Sequence, residues 1–254
     1  MTAWPFESGS KNLSNRDVTV SLADLHIHTT CSDGAASPRQ MASGLVNSKL
    51  AVAAVTDHDS VEGALRVRDE LRGEGPEIVI GAEITTTDGH LLALYIDADL
   101  PSGRSARETV ELIHERGGLA IAAHPYFPFC GLGGLAGRLA FDGIEIDNGT
   151  PLGELANSLA RRRLGAASRA LLGGSDAHVL GAVGHVHTLF PGRTAADLRR
   201  AIECCQTQPA FDWKRHLQLS PVLLARVAWV TLGNLLPTTK TARATQREGD
   251  LRPR

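Results

Sequence analysis

The sequence predicts an α/β fold: a distorted (β/α)7 barrel of the TIM type with an added C-terminal helix. Three observations predict it. Short apolar runs alternate with amphipathic stretches from residue 24 to about residue 205, the pattern of βαβ units and a largely parallel sheet. The apolar runs fall at 24–30, 50–57, 77–86, 91–97, 119–124, 143–147 and 170–176. They are bounded by Gly, Pro or charge, and several are rich in Val and Ile, as buried strands are. Finally, imidazoles and carboxylates gather at the C-terminal ends of these runs, which is the face where barrels of this class build active sites.

Residues 1–21 are polar and irregular and read as a flexible lead-in to a barrel over 22–210. After the first strand, Ser37 followed by Pro38 opens a helix to about residue 49, with a cap residue and then proline at the first helical position. Stretches 61–72, 106–116 and 152–164 carry the same helical pattern. Thr194, with Asp197 three residues on, opens a helix over 195–205 through a weaker form of the capping box. Within 211–236, residues 217–236 are apolar except for Gln218, Ser220, Arg226, Thr231 and Asn234. That length matches a membrane span, but a central Arg226 costs about 2.5–3.5 kcal/mol on insertion scales. The preferred reading is a helix docked on the barrel or on another subunit, which leaves room for an oligomer; membrane association is the lesser alternative. Residues 237–254 are polar, with Arg243, Arg247, Arg252 and Arg254, and read as a disordered tail.

A chain of 254 residues with 43% hydrophobic and 21% charged residues is long enough for one large core. A net charge of −2 argues against a broad nucleic-acid surface, so no stable nucleic-acid complex is expected. It leaves open a phosphorylated small molecule or a nucleotide, because bound cations reverse the local charge. The four cysteines Cys31, Cys130, Cys204 and Cys205 include no CxxC pair and read as reduced thiols. Met1–Ser14 has no secretory h-region, which makes the cytoplasm the expected location.

Asp24-Leu25-His26-Ile27-His28 is the sharpest local signal. On a strand, residues two apart share a face, so Asp24, His26 and His28 project together while Leu25 and Ile27 pack the other way. Asp33 follows in the loop beyond. Taken singly, each has a plain alternative: a pair of hydrogen-bonded core histidines, or a turn at Asp33-Gly34. Thr56-Asp57-His58-Asp59 ends the second run, and ionisable groups there are costly to bury without partners or metals. Glu83 ends the third strand and could bridge two cations; His90 opens the next run; His124 closes another; and Asp176 and His178 share a face at the last. Imidazole and carboxylate donors without cysteine suit catalytic zinc, manganese or iron better than a closed structural zinc site. His114, on a helix, and His216, beyond the repeats, read as structural or exposed.

These motifs, together with Gly81-Ala82-Glu83, Ala123-His124-Pro125 and Ser175-Asp176-Ala177-His178, resemble the polymerase and histidinol phosphatase (PHP) domain family over residues 22–190. The resemblance implies a seven-stranded barrel and a trinuclear site. His26 and His28 would hold a first metal with Asp176, Glu83 would bridge, and Asp33 and His58 would hold a second. His90, His124 and His178 would complete the second and third positions. Asp24, Asp57 and Asp59 look like groups that orient imidazoles, with Glu145 and Asn148 in a similar part. Two or three divalent ions would then hydrolyse phosphate esters, through a hydroxide bridging cations about 3.5–4 Å apart. His185 or His187 is the candidate proton donor to the leaving oxygen, with packing as the alternative role. No inserted domain of the kind found in relatives acting on RNA ends is apparent between His90 and His124. The competing readings are an amidohydrolase-type metallohydrolase on a similar barrel, and a non-catalytic PHP-type binding module.

Overall fold

The computed structural model describes residues 19–150 and 153–212. Nine strands form one curled sheet: β1 Val20–Asp24, β2 Val52–Val55, β3 Glu77–Thr85, β4 His90–Leu94, β5 Leu119–Ala122, β6 Gly143–Asn148, β7 Ala170–Gly174, β8 Val186–Pro191 and β9 Gln208–Phe211. Five α-helices, α1 Pro38–Val46, α2 Glu62–Leu71, α3 Ala106–Glu115, α4 Glu154–Leu164 and α5 Ala195–Glu203, sit between them. The order across the sheet is β7-β6-β5-β4-β3-β2-β1-β8-β9. Strands β8 and β9 also pack against β7, so the sheet closes almost into a barrel. A side chain bridges β7 and β8 at this seam: the Thr188 hydroxyl donates to the Gly173 carbonyl at 2.8 Å and accepts from the Gly173 N–H at 3.0 Å.

The expected α/β barrel is present, with a different strand count and more antiparallel pairing. β1–β2–β3 and β5–β6–β7 run parallel. β4 is antiparallel to both β3 and β5, and β8 to both β1 and β9. The physical reason at β3–β4 is loop length. Thr86–Gly89 makes a tight turn closed by the Thr86 N–H to Gly89 carbonyl bond at 3.1 Å, and no crossover helix fits in it. The first strand also starts earlier than its apolar run: Val20 and Ser21, assigned to the lead-in, pair with Pro191 and Phe190. The apolar helix expected over 217–236 lies outside the described residues.

Capping fixes three helix starts. Ser37 with Gln40, Ser105 with Glu108 and Thr194 with Asp197 each form a reciprocal capping box. Buried apolar residues hold the layers together. Met41, Leu45 and Val67 of α1 and α2 pack on Val55, and Val110 and Ile113 of α3 pack on Leu91 and Ala120. Leu198 and Ile202 of α5 join Phe190, Val52 and Ile121. Phe190 is fully buried, and removing such a ring costs about 3–5 kcal/mol. This packing makes the sheet a rigid base for the side chains at its rim.

Candidate metal centre

Beyond Asp24 the first strand gives way to an extended segment bridged to the segment after β7. The His28 N–H donates to the Ala177 carbonyl at 3.0 Å and the Ala177 N–H to the His26 carbonyl at 3.1 Å. That pairing sets His26 and His28 beside Asp176 and His178. A second bridge, His58 with Glu83, ties the end of β2 to β3. The structure therefore brings together all nine residues singled out at strand ends: His26, His28, Asp33, His58, Glu83, His90, His124, Asp176 and His178.

Glu83 lies at the centre, 2% exposed. Its Oε2 faces His26 Nε2 at 3.3 Å, His28 Nε2 at 3.4 Å and His58 Nδ1 at 3.3 Å. Its Oε1 faces His90 Nδ1 at 3.0 Å and His124 Nε2 at 2.9 Å. The five rings follow one another around the carboxylate, with neighbouring centroids 4.9–5.7 Å apart. Asp176 Oδ1 stands 3.3 Å from His28 Nε2 and 3.5 Å from His26 Nε2. Asp33 reaches His28, His58 and His178 at 3.4, 3.5 and 3.2 Å.

These residues fit divalent cations on two counts. The Nε2 atoms of His26 and His28 and the Nδ1 of His124 are buried without a hydrogen-bond partner, a cost the fold would not carry for packing alone. Moreover, many of the nitrogen–oxygen separations lie near 3.3–3.5 Å, long for charge-assisted hydrogen bonds. Two donors each about 2.0–2.1 Å from a tetrahedral ion are about 3.3–3.4 Å apart.

Among the protein's own charges, burial would raise the Glu83 carboxyl, but His58, His26 and His90 around it hold it well below its usual range. Burial would likewise raise Asp176, and His26 and His28 reverse this. His58 and His178 would be depressed by burial; Glu83 and Asp33, respectively, lead the groups that push them up to about 9. His28 goes the other way, depressed by burial and by the neighbouring His178.

Another set of acids braces this rim. Glu145 places Oε1 3.1 Å from His26 Nδ1 and accepts the His124 N–H at 3.0 Å and the Asn148 amide at 2.9 Å through Oε2. Asn148 also donates to Asp176 Oδ2 at 3.3 Å, and the Thr150 hydroxyl donates to the same oxygen at 2.5 Å. Asp24 and Asp57 grip the loops and not the imidazoles. Asp24 accepts the Ser175 N–H and hydroxyl and the Gly184 N–H at 3.0, 2.6 and 2.7 Å. Asp57 accepts the Thr29 N–H and hydroxyl, both at 2.7 Å, and the Ser32 hydroxyl at 2.6 Å. Asp59 accepts the Thr85 N–H at 2.8 Å. At this rim His124, Asp176 and Asp59 have φ of 25°, 50° and 55°, strained for residues with a Cβ. Gly174 packs so closely that a Cβ there would lie 2.2 Å from Glu145 Oε1, so only glycine lets that brace approach.

His185 and His187 stand behind the rim. They face backbone carbonyls, His185 those of Ala182 and Gly149 and His187 that of Gly184. Neither lines the cavity of about 260 Å³ that opens over Glu83, His90 and His124. Four residues the sequence did not flag do line it: Phe127, Thr150, Cys130 and the 94% exposed Phe129. Cys130 lies within donor range of His90 and His124, which corrects the expectation of a rim without cysteine. The Ala-His-Pro step followed by a Gly-rich return, residues 123–134, was the signal that this loop folds back.

Residues 154–207 match a family model described as PHP-associated. An uncharacterized protein of Methanocaldococcus jannaschii is 37% identical over 154 residues, covering 56% of this chain and 90% of that one. The 5'-3' exoribonuclease Rnm of Salmonella typhimurium is 33% identical over 89 residues, 33% of this chain, so the chain spans only 30% of that relative. A Bacteroides vulgatus two-domain protein, described as containing a predicted PHP-like metal-dependent phosphoesterase, superposes with a TM-score of 0.64. It is 18% identical, with 80% of this chain and 70% of that one covered.

Proposed function

From the PHP-associated match over residues 154–207 and the PHP-like fold, we propose that the chain is a metal-dependent hydrolase of phosphate esters of the PHP family. Its substrate is a small phosphomonoester or a nucleotide. The observation that carries the reading is the division of Glu83, one oxygen toward His26, His28 and His58 and the other toward His90 and His124. A carboxylate shared in this way suits a cluster of cations better than a lone ion. His26, His28 and Asp176 would hold one, Asp33, His58 and His178 a second, and His90 and His124 a third, with Glu83 between them. When bound, two or three zinc, manganese or iron ions activate water and offset the charge of the phosphoryl group.

The chain's own groups do the positioning. Glu145 orients the His26 ring, and Thr150 and Asn148 fix Asp176. A cavity of about 260 Å³ is just below the ~300–1,000 Å³ usual for small-ligand pockets, so it admits a phosphoryl group and leaves the bulk of a larger substrate outside. Phe129 stands at that mouth with an apolar ring for a base to pack on, which favours a nucleotide. His185 holds the Gly149 carbonyl next to Thr150, so its proposed part is to position Asp176. His187 and Asp59 support the backbone in the same manner.

The test is phosphate release by the full chain with Mn²⁺ or Zn²⁺. Substrates are p-nitrophenyl phosphate, glycerol phosphate, nucleoside monophosphates and short oligonucleotides, beside amide substrates. Release that stops on chelation and returns with metal is expected. Cleavage of amides alone, or metal-independent release, would overturn the reading.

A further inference from the structure

The rim outlined above is built from nitrogen and oxygen donors except at one corner. Cys130 sits on the loop that follows β5, and its sulfur and one nitrogen each from His90 and His124 all lie within 4.8 Å of one another. His124 is 6% exposed; its Nε2 turns to Glu83 at 2.9 Å while its Nδ1 is buried without a hydrogen-bond partner. A buried nitrogen with no hydrogen bond of normal geometry, on a ring drawn toward the Cys130 sulfur, is the arrangement of an incomplete ligand set.

The loop holds the thiol in place. The Cys130 carbonyl accepts the His90 N–H at 2.8 Å, which ties it to the first residue of β4. The Gly131 N–H donates to the Phe127 carbonyl at 3.0 Å and the Gly133 N–H to that of Pro125 at 2.6 Å. Gly131 is crowded enough that a Cβ would lie 2.5 Å from the Pro125 carbonyl oxygen, so the tight return past the thiol requires glycine. Cys130 is half-buried and faces the same cavity as His90 and His124, with access for a cation.

We propose that Cys130, with His90 and the Nδ1 side of His124, forms a cation position beside the Glu83 cluster, and that its sulfur makes this one position select zinc over manganese or magnesium. Thiolate and imidazole together suit zinc, whereas the carboxylate-rich groups elsewhere on the rim accept harder ions. The rim is then a mixed-metal site, with a thiophilic corner beside positions of broader choice. This inference rests on the metal-binding reading above and adds one further position and the identity of its ion.

The test uses the full chain loaded with Co²⁺ and, separately, with Zn²⁺ and Mn²⁺ in competition. Wild type is expected to show a sulfur-to-cobalt charge-transfer band in the near ultraviolet. Cys130→Ser is expected to lose the band and one equivalent of tightly held zinc, while Cys31→Ser and the Cys204→Ser, Cys205→Ser double variant keep both. Alkylation of Cys130 in wild type, followed by peptide mass spectrometry, needs no variant and is expected to slow when zinc is added. Cobalt bound without the band, or zinc that leaves Cys130 alkylation unchanged, would overturn the assignment while sparing the metal-binding reading. A protein that takes up no metal would overturn both.

Discussion

Two sets of buried and half-buried acids lie within a few residues of each other on this barrel and behave in opposite ways. Asp24 and Asp57 are fully buried and saturated by the chain's own donors: backbone N–H groups and the hydroxyls of Thr29, Ser32 and Ser175. Asp33, Glu83 and Asp176 face mainly imidazoles, at separations mostly too long for good hydrogen bonds, beside nitrogens that have no partner. Both sets sit at strand ends and both are costly to desolvate. What separates them is what stays unsatisfied: the first set is scaffold, complete within the chain, and the second is complete only with a cation. Glu145 joins the two, taking backbone and amide donors on one oxygen and the His26 ring on the other.

The largest effect that would sharpen this contrast is at Glu83. Glu83→Gln keeps the shape and removes the shared charge, so phosphate release should fall by roughly 10²–10³-fold or more. Metal per chain, read by mass spectrometry, should fall with it. Asp24→Ala should do the reverse. It leaves the Ser175 N–H, the Ser175 hydroxyl and the Gly184 N–H without their acceptor, at about 1–3 kcal/mol each. Urea denaturation should show a loss of about 3 kcal/mol or more, ahead of any specific loss of metal. An Asp24→Ala protein of native stability would break the distinction between the two sets.

Glu145→Gln probes the residue between them. It weakens the hold on the His26 ring, and metal affinity by titration should drop about 10–100-fold with the fold retained. The smallest effect is at His187. Burial holds its imidazole below the ordinary 6.5. As pH falls, the unfolded chain therefore takes up a proton before the folded one does. Its contribution to stability is whole above that value and is lost as pH drops through it toward the folded value. His187→Gln should flatten the decline in denaturation midpoint between about pH 8 and about pH 5.5 relative to wild type. An unchanged slope would mean that the histidine is not held neutral by burial.

Much of this arrangement is written locally in the chain. Ser37-Pro38, Thr194 with Asp197, and the apolar spacing in between mark the helices, because capping and amphipathicity are short-range effects. The nine rim residues are legible because ionisable groups that end apolar strands are costly to desolvate unless they bind something. Strands β8 and β9 are not legible in the same way. Val186–Pro191 buries the polar His187 and Thr188 on opposite faces, and Gln208–Phe211 is four residues long; only pairing with β1 and closure against β7 make them strands. Nor does spacing reveal that Asp24 and Asp57 hold loops instead of imidazoles, since their partners Ser175 and Thr29 come from folding. Cys130 is hidden for the same reason: it meets His90 only through the backbone bond that folds its loop onto β4.

The most direct measurement is anomalous diffraction from crystals of the full chain soaked in Zn²⁺ or Mn²⁺. The account predicts at least two peaks within bonding distance of Glu83, one at each carboxylate oxygen, with imidazoles of His26 or His28 on one side and of His90 or His124 on the other. A map with no peak at Glu83, in crystals that take up metal elsewhere, would contradict it.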